Sequence, residues 1–407
     1  MPVEHVETLI VGGGQAGLVM SHRLKQRGRA HLVLERGRVA ERWRSERWDG
    51  LRFQFPNWSV RLPDFPFPHH DPDAFAATAD ILAYIEAYAA FVAPPIRCGV
   101  AVTRLRRRDG GSGFIAETSD GAIEADNVVV ATGPYQRAIM PALLGDTRIF
   151  QVHASRYANP GQLPPGAVLV VGSGASGAQI AEELFRSGRR VYLSVGRHTR
   201  LPRRYRGRDL IWWLSALGLD QTTVEQRGPS RLLPVISGAY GGHTIDFRRF
   251  ADEGVTLLGR VEAARDGVIG FAADLAESLA GGDATYAAFL DMADTHVKRH
   301  APNMPEDPAA RAVLPDPHCV TAPLRQLDIG ADGIGAVIWA TGYGVDFGWI
   351  DIDAFNASGE PIHRRGIAEV PGLYFLGLQW LSKMNSSFLS GVGDDAAVLA
   401  DHIAARK

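Results

Sequence analysis

Two glycine-rich turns of the same pattern constrain this chain more than any other feature. The first, Gly12-Gly13-Gly14-Gln15-Ala16-Gly17, follows an apolar run and precedes a segment with helical spacing. The second, Gly172-Ser173-Gly174-Ala175-Ser176-Gly177, stands in the same setting 160 residues later. In a strand–turn–helix unit, G-x-G-x-x-G permits a tight turn, brings the backbone close to a pyrophosphate and lets helix pack on strand. The sequence therefore predicts two dinucleotide-binding domains.

The residue near the end of each second strand distinguishes the two predicted sites. At the first site Glu35 stands 18 residues beyond Gly17, where a carboxylate binds a ribose hydroxyl. At the second site Arg197 stands 20 residues beyond Gly177, and an arginine accommodates the 2′-phosphate of NADP. The first site thus suits a dinucleotide with a free ribose hydroxyl, and the second suits NADP.

The alternative for Arg197 is a solvated basic loop. This is the role we expect for most of the arginines that follow it, which are Arg200, Arg203, Arg204, Arg206 and Arg208.

Composition excludes several classes of protein. The 407 residues are 46% hydrophobic with a net charge of −2, so no global field favours nucleic acid or an acidic membrane. Cys98 and Cys319 cannot form a disulfide framework, which indicates a reducing, cytoplasmic compartment. No apolar run reaches the ~18 residues that cross a bilayer. His69 and His70 have no ligands at metal spacing, so no metal site is predicted.

A repeated Ala-Thr-Gly follows two buried strands, at Ala131-Thr132-Gly133 and at Ala340-Thr341-Gly342. We expect each copy to close one nucleotide fold and to pass close to its cofactor. Helical spacing predicts helices over 79–91, 274–300 and 394–404. The apolar segment 210–219 is most simply a core helix of an insertion; a lid, a tunnel wall or a dimer face are the alternatives.

These motifs together resemble those of the class B flavoprotein monooxygenases. This group includes the flavin-containing, Baeyer–Villiger, N-hydroxylating and YUCCA-type enzymes. The likeness is strongest to a bacterial branch whose usual name connects it with potassium transport. It spans nearly the whole chain and is carried by VGGGQAGL, ERWRSERWDGLRFQFPNWSVRLPDFPFP, VVVATGPY, VVGSGASGAQIAEEL, VIWATGY, PGLYFLGLQWL and SGVGDDAAVLA.

The group's identifying motif, F-x-G-x-x-x-H-x-x-x-F/Y, is only half present. Its second half is His153-Ala154-Ser155-Arg156-Tyr157, whereas Thr147 and Ile149 occupy the Phe and Gly positions. This departure leaves the substrate class open.

The resemblance implies an α/β fold of two Rossmann-like domains in the three-layer ββα/βαβ architecture of glutathione reductase. The FAD-binding domain would comprise residues 1–158 and 334–407. The NADP-binding domain would comprise residues 159–333, with a mixed insertion at about 205–315.

The resemblance also implies roles for individual residues. FAD would lie on Gly12, Gly14, Gln15, Ala16, Gly17, Glu35 and Arg36, with Trp43, Arg44 and Gln54 toward the flavin ring and Val102 at the adenine. NADP would lie on Gly172, Ser173, Gly174, Ala175, Ser176, Gly177 and Arg197. Gln54 is the candidate catalytic residue, and Gln379 and Asn385 are candidates for the substrate pocket.

The implied reaction is an NADPH-dependent monooxygenation. NADPH would reduce FAD, the reduced flavin would form a peroxide with O₂, and one oxygen atom would pass to a small, fairly apolar substrate at nitrogen, sulfur or a carbonyl. The alternative is an FAD/NAD(P)H oxidoreductase or redox-sensing flavoprotein without productive oxygenation. We expect no nucleic-acid partner, and a homodimer is left open.

The assignment of Arg197 makes a first prediction. Arg197→Ala should weaken the use of NADPH by ~1–3 kcal/mol, as for loss of a charged hydrogen bond, and leave the use of NADH unchanged. Steady-state oxidation of the two nucleotides measures this difference. Equal use of both by the unaltered protein would contradict the assignment.

Overall fold

A strand–helix–strand unit contains each of the two glycine-rich turns, and runs of consecutive strands occur elsewhere in the chain. The protein is described here by a computed structural model, which covers residues 3–145, 147–228 and 233–406. The helices within these ranges are α1 (Gln15–Gln26), α2 (Glu41–Ser45), α3 (Thr78–Val92), α4 (Ala175–Arg186), α5 (Leu210–Ala216), α6 (Phe247–Glu253), α7 (Leu275–His300), α8 (His318–Thr321) and α9 (Val392–Ala405).

Many of the strands are short. Those of the first half are β1 (Glu4–Val11), β2 (His31–Glu35), β3 (Arg61–Leu62), β4 (Phe65–Pro66), β5 (Ile96–Cys98), β6 (Val102–Arg107), β7 (Phe114–Thr118), β8 (Gly121–Val130), β9 (Arg137–Ala138), β10 (Phe150–His153), β11 (Ala167–Val171), β12 (Val191–Ser194) and β13 (Thr199–Arg200). Those of the second half are β14 (Arg204–Tyr205), β15 (Arg208–Asp209), β16 (Pro234–Val235), β17 (Thr256–Leu258), β18 (Val261–Arg265), β19 (Val268–Phe271), β20 (Gln326–Asp328), β21 (Ile334–Trp339), β22 (Tyr343–Gly344), β23 (Ile350–Asp351), β24 (His363–Arg364), β25 (Ile367–Ala368) and β26 (Leu373–Phe375).

Two parallel sheets of the same order form the centre of the molecule. In the first, the parallel strands run β26-β8-β1-β2-β5. In the second they run β10-β21-β11-β12-β17. An antiparallel pair accompanies each sheet, with β6 and β7 beside β8 in the first and β18 and β19 beside β20 near the second. The second unit thus repeats the first, as the two glycine turns predict.

Strand pairing changes the predicted boundaries of the two units. β10 pairs with β21 and therefore lies in the second sheet, although the prediction placed residues 1–158 in the first domain. β21 lies between β10 and β11, although the prediction placed 334–407 with the first domain. The reason is that each glycine turn needs the strand that ends in Ala-Thr-Gly directly beside it. By strand pairing, the second unit runs from Phe150 to Trp339.

The predicted insertion at about 205–315 is also not continuous. Within it, β17 is the outer strand of the second parallel sheet, and β18 and β19 form the antiparallel pair. The added structure therefore comes in two parts, one with α5 before β17 and one with α7 after β19. The predicted core role of segment 210–219 agrees with this structure, since Leu210 and Trp213 are fully buried on α5.

Helices cover the sheets through apolar contacts. Four groups of buried apolar side chains lie under the two sheets and α5, and the largest contains residues of β1, α1, α3 and α9. Gly17 and Gly177 lie in the first turns of α1 and α4, where a Cβ atom would stand 1.9 Å and 1.8 Å from the carbonyl oxygens of Gly12 and Gly172. Each helix can approach its strand only with glycine there. In the described ranges, no helix has the length and apolarity that crossing a bilayer requires.

This packing predicts a large effect of one methyl group. Gly17→Ala should lower the free energy of unfolding by about 1–3 kcal/mol, because the backbone must move to relieve the overlap. Gly14→Ala is the matched control, since Gly14 has an extended φ of −83° and its Cβ would meet nothing within 4 Å. Urea unfolding of both variants measures the difference, and equal losses would contradict the packing argument.

Candidate functional site

The first glycine turn has the geometry of a phosphate-binding turn. Gly12 has φ of +117°, and its Cβ would lie 2.5 Å from the carbonyl oxygen of Ala131. Gly14 is the N-cap residue of α1, so no side chain caps the first N–H groups of the helix. A Cβ atom at Gly14 would reach open space. The free N–H groups of the helix start and its positive dipole end therefore face a space that an anion can enter. The predicted residues Gln15 and Ala16 begin this helix.

Glu35 lies where the sequence predicts a ribose-binding acid. Its carboxylate accepts hydrogen bonds from the backbone N–H of Gly13 at 2.6 Å and of Gly37 at 2.8 Å. The side chain is therefore held beside the first glycine turn, at the end of β2. Arg36 is exposed beside it, and Val102 is half-buried at the start of β6.

The second glycine turn has a geometry similar to that of the first. Gly172 has φ of +108°, and its Cβ would lie 2.5 Å from the carbonyl oxygen of Ala340. Gly174 caps α4 without a side-chain bond, and its Cβ would again reach open space. The hydroxyl of Ser173 accepts the N–H of Gly196 at 3.0 Å, which joins the turn to the loop after β12. The residues of both turns therefore fit a dinucleotide pyrophosphate.

The two folds differ at the end of the second strand, where the sequence predicts contact with the ribose. Leu34 pairs with Val11 in the first sheet, and Ser194 pairs with Val171 in the second, so Glu35 corresponds to Val195. Val195 is fully buried and carries no charge. Arg197 follows two residues later; it is exposed and has no ion-pair partner among the described residues. Its guanidinium is therefore available to a ligand.

The two Ala-Thr-Gly turns lie beside the two glycine turns, and His153 joins one of them to β10. The ring of His153 is buried, and it contacts the hydroxyl of Ser155 and the carbonyl oxygen of Gly342, each at 3.0 Å. Burial lowers the pKa of this histidine, which favours the neutral ring. Thr132 accepts a hydrogen bond from Gln136 at 3.0 Å, whereas Gly133 has φ of +75°. The two Ala-Thr-Gly turns thus lie directly after the central strands β8 and β21. Their residues are Ala131, Thr132, Gly133, Ala340, Thr341 and Gly342.

Tyr157, the last residue of the half motif, is also buried. Its hydroxyl donates to the carboxylate of Glu183 on α4 at 2.8 Å. Burial raises the pKa of both groups, and the hydrogen bond between them ties the motif to α4. The surviving half of the motif therefore has a structural role as well as a place beside the Ala-Thr-Gly turn.

The predicted flavin-side residues separate into two groups. Trp43 packs on Phe53, with ring centroids 5.8 Å apart, and Gln54 presents its backbone carbonyl to Arg203 at 2.7 Å. Arg44 instead forms an ion pair with Glu86 on α3. Its guanidinium is thus already engaged with α3, which the sequence did not predict.

The tail loop, residues 378–391, contacts the first glycine turn. The side-chain amide of Gln15 donates to the carbonyl oxygen of Ser387 at 2.8 Å. Asn385 is buried, and its side-chain oxygen has no hydrogen-bond partner in the part of the chain that the structure describes. Gln379 is exposed and donates to the hydroxyl of Tyr135 at 3.3 Å. Of the two predicted pocket residues, Asn385 therefore offers a buried acceptor, and Gln379 lies at the surface.

The solvated loop expected beyond Arg197 is wrong for Arg200 and Arg203. Arg203 is 1% exposed; it binds both carboxylate oxygens of Asp209 at 2.6–2.9 Å and lies over the ring of Phe75. Arg200 is 8% exposed and pairs with Asp246 and Asp283. Asp209 is six residues from Arg203 and could have been suspected as its partner, whereas the partners of Arg200 are 46 and 83 residues away.

Comparison with known proteins agrees with this geometry. The profile of the pyridine nucleotide-disulphide oxidoreductase family matches residues 9–216. The chain is 32% identical, over 98% of both chains, to an uncharacterized CzcO-like oxidoreductase of Geobacillus kaustophilus. It is 33% identical, over 46% of both chains, to the probable indole-3-pyruvate monooxygenase YUCCA1 of Arabidopsis thaliana. The fold matches the flavin-containing monooxygenase of Stenotrophomonas maltophilia with a TM-score of 0.67, 19% identity and 99% of both chains covered.

The chain belongs to the pyridine nucleotide-disulphide oxidoreductase family. Within it, the predicted membership of the class B flavoprotein monooxygenases and the predicted α/β fold class are confirmed. FAD and NADP(H) are the cofactors of homologous flavin monooxygenases, in agreement with the cofactor pair that the sequence predicts.

Arg203 makes a prediction about stability. Arg203→Met should lower the free energy of unfolding by about 3–5 kcal/mol, because it leaves the carboxylate of Asp209 buried and unpaired. The double variant Arg203→Met/Asp209→Asn should recover part of that loss, since it removes the orphan charge. Denaturant unfolding of the two variants checks this. A double variant no more stable than the single one would contradict the ion-pair explanation.

Proposed function

We propose that this protein is an NADPH-dependent flavin monooxygenase that oxygenates a small, largely apolar substrate at nitrogen, sulfur or a carbonyl carbon. The observation that carries the proposal is the repeated turn geometry at Gly12–Gly17 and Gly172–Gly177, with Glu35 after one fold and Arg197 after the other. Two dinucleotides of different ribose chemistry would then be held by a single chain. That arrangement suits electron transfer between FAD and NADPH.

The division of work between cofactor and protein explains the residues present. Bound FAD would supply the hydride acceptor and the activation of O₂. The chain's own part is to hold both pyrophosphates at the starts of α1 and α4, to hold the ribose hydroxyl at Glu35 and to hold the 2′-phosphate at Arg197. None of these tasks requires a cluster of acidic and basic catalytic residues. Gln54 remains a residue that we propose to contact the flavin ring.

Exclusion of water is the second task of the protein. Aromatic rings connect the flavin-side loop to the tail loop: Phe53 lies 5.4 Å from Phe55, and Phe55 lies 4.9 Å from Phe388. Phe55 also packs on the apolar group around α5. Such a lining keeps water from reactive oxygen species and admits an apolar substrate. Asn385 would give this lining its polar contact.

The segment after α5 is hydrogen-bonded to the tail loop and forms another wall of this proposed lining. The N–H of Met384 donates to the carbonyl oxygen of Thr222 at 3.0 Å, and the N–H of Val224 donates to that of Ser382 at 3.1 Å. The segment after α5 therefore forms backbone hydrogen bonds with the tail loop. The proposed pocket lies where these two segments meet the loop that contains Phe55.

The second candidate function is redox catalysis or sensing without oxygenation. It is favoured by Thr147 and Ile149, which replace the Phe and Gly of the group's motif. A dithiol reductase is a poorer candidate. Cys98 is exposed on β5, Cys319 lies on α8, and both are free, so the chain lacks a paired-cysteine motif.

A coupled assay separates the two candidates. FAD-loaded protein should oxidise NADPH, and an amine, thioether, ketone or α-keto acid should convert that oxidation into oxygenated product with less hydrogen peroxide. The panel includes α-keto acids because the plant relative is a probable indole-3-pyruvate monooxygenase. Oxygen uptake, peroxide and product are measured together. Protein that takes up no FAD or never oxidises NADPH would contradict the proposal; oxidation that yields peroxide alone with every compound would favour the second candidate.

A further inference from the structure

The loop that contains Arg197, residues 196–200, packs against α7. This helix belongs to the added structure and not to the repeated fold. Arg197 itself is exposed and unpaired among the described residues. The residues on either side of it are not free. Gly196 bonds to Ser173 of the glycine turn, and His198 and Arg200 are both 8% exposed.

His198 is wedged between the loop and α7. Its Nδ1 lies 3.0 Å from the carbonyl oxygen of Gly196, and its ring stands edge-on to Phe247 at 4.8 Å. On the other side it faces Gly282 of α7, where a Cβ atom would stand 2.4 Å from Nε2 of the ring. Gly282 therefore provides the space that the ring occupies. A side chain at this position would push the ring toward Gly196.

Arg200 is held by residues that directly follow Gly282 in α7 and by Asp246, just before α6. Its guanidinium donates to Asp283 at 2.8 Å and to Asp246, and it lies over the ring of Tyr286 at 4.4 Å. Its backbone is held as well. The hydroxyl of Thr285 accepts the N–H of Arg200 at 3.1 Å and lies 3.2 Å from its carbonyl oxygen.

A second arginine also binds the carboxylate of Asp283. Arg248 of α6 donates to Asp283 at 2.7 Å and to Asp316, so Asp283 lies between two guanidinium groups. Buried charges of this kind are stable only when each is paired, and the geometry of such a network has few alternatives. The loop around Arg197 therefore has little freedom, although Arg197 points into solvent.

We propose that α7, through Gly282, Asp283 and Thr285, is the positioning element that makes the second site selective for a 2′-phosphorylated nucleotide. The inference rests on the proposed function, because it requires Arg197 to bind that phosphate. The inference assigns a role to α7, which is part of the added structure. The repeated fold alone would bind a dinucleotide without that helix. Precise placement matters here, since a charged hydrogen bond to phosphate depends strongly on distance and direction.

Two adjacent glycines of α7 provide a matched test. Gly282→Ala introduces the methyl group against His198, whereas Gly281→Ala introduces it at an exposed position where nothing lies within 4 Å. Both substitutions favour a helix equally, so a difference between them reports the contact with His198. Neither residue is among those that we propose to hold the nucleotide.

The measurement is the binding of 2′,5′-ADP and of ADP to the FAD-loaded protein by calorimetry at fixed ionic strength, because salt screens exposed charges. We expect Gly282→Ala to weaken 2′,5′-ADP about tenfold and ADP by less than about twofold, as for misplacement of one charged contact. Gly281→Ala should behave as the unaltered protein. Arg197→Ala removes the proposed contact with the 2′-phosphate. It therefore gives the lowest expected preference for 2′,5′-ADP over ADP.

Thr285→Val provides a second variant that is expected to fold, since it keeps the shape of the side chain and replaces the hydroxyl with a methyl group. It should reduce the preference for 2′,5′-ADP about threefold through the backbone of Arg200. If Arg197→Ala loses the preference but Gly282→Ala and Thr285→Val both keep it, the positioning role is wrong and the proposed function stands. If the unaltered protein binds both nucleotides equally, the phosphate assignment and the inference both fail.

Discussion

A close approach of two backbone segments in each fold is the constraint on which the rest of the structure depends. The Cα of Gly12 lies against the carbonyl of Ala131, and the Cα of Gly172 lies against the carbonyl of Ala340. A side chain at either glycine would separate the glycine turn from the Ala-Thr-Gly turn. The start of the helix would then move away from the end of the central strand. The N–H groups that we propose bind phosphate, and the strand ends that we propose flank a cofactor, are therefore placed by one contact, and the same contact occurs in both folds.

Much of this could be predicted from the sequence because it depends on local pattern. The glycine spacing and the apolar strands predict both turns, and Glu35 stands where a local count puts it. The repeat of Ala-Thr-Gly also predicts the partner of each turn. The domain boundaries were harder, because β10 and β21 join the second sheet through pairing with strands far along the chain. A boundary drawn from a linker signal cannot detect such pairing.

The buried charges could not be predicted for the same reason. Arg200 and Arg203 occur in a sequence with six arginines between 197 and 208, and such a composition is typical of a solvated loop. Arg203 pairs with Asp209, which is only six residues away, but that spacing does not show that the arginine is buried. The burial of Arg200 depends on Asp246, just before α6, and on Asp283 of α7, and the sequence does not show which arginine meets which acid. Arg44 is a similar case, because its partner Glu86 lies on a helix 42 residues away. Helices and glycine turns are local properties, whereas the pairing of charges is a property of the assembled fold.

The parts that occur once in the molecule are those that can decide its chemistry. Whatever the two folds share can bind what two dinucleotides share, namely a pyrophosphate and a ribose. In the proposed function, the choice between nucleotides comes from positions at which the two folds differ, such as Glu35 against Val195, and from the Arg197 loop that packs against α7. The choice of substrate has a similar origin. Phe55, the segment after α5 and the tail loop have no counterparts in the other half of the chain, and they meet beside the first glycine turn through Phe388 and the bond from Gln15 to Ser387. In the proposed function, an asymmetric pocket beside two similar folds is what brings two similar cofactors to one dissimilar substrate.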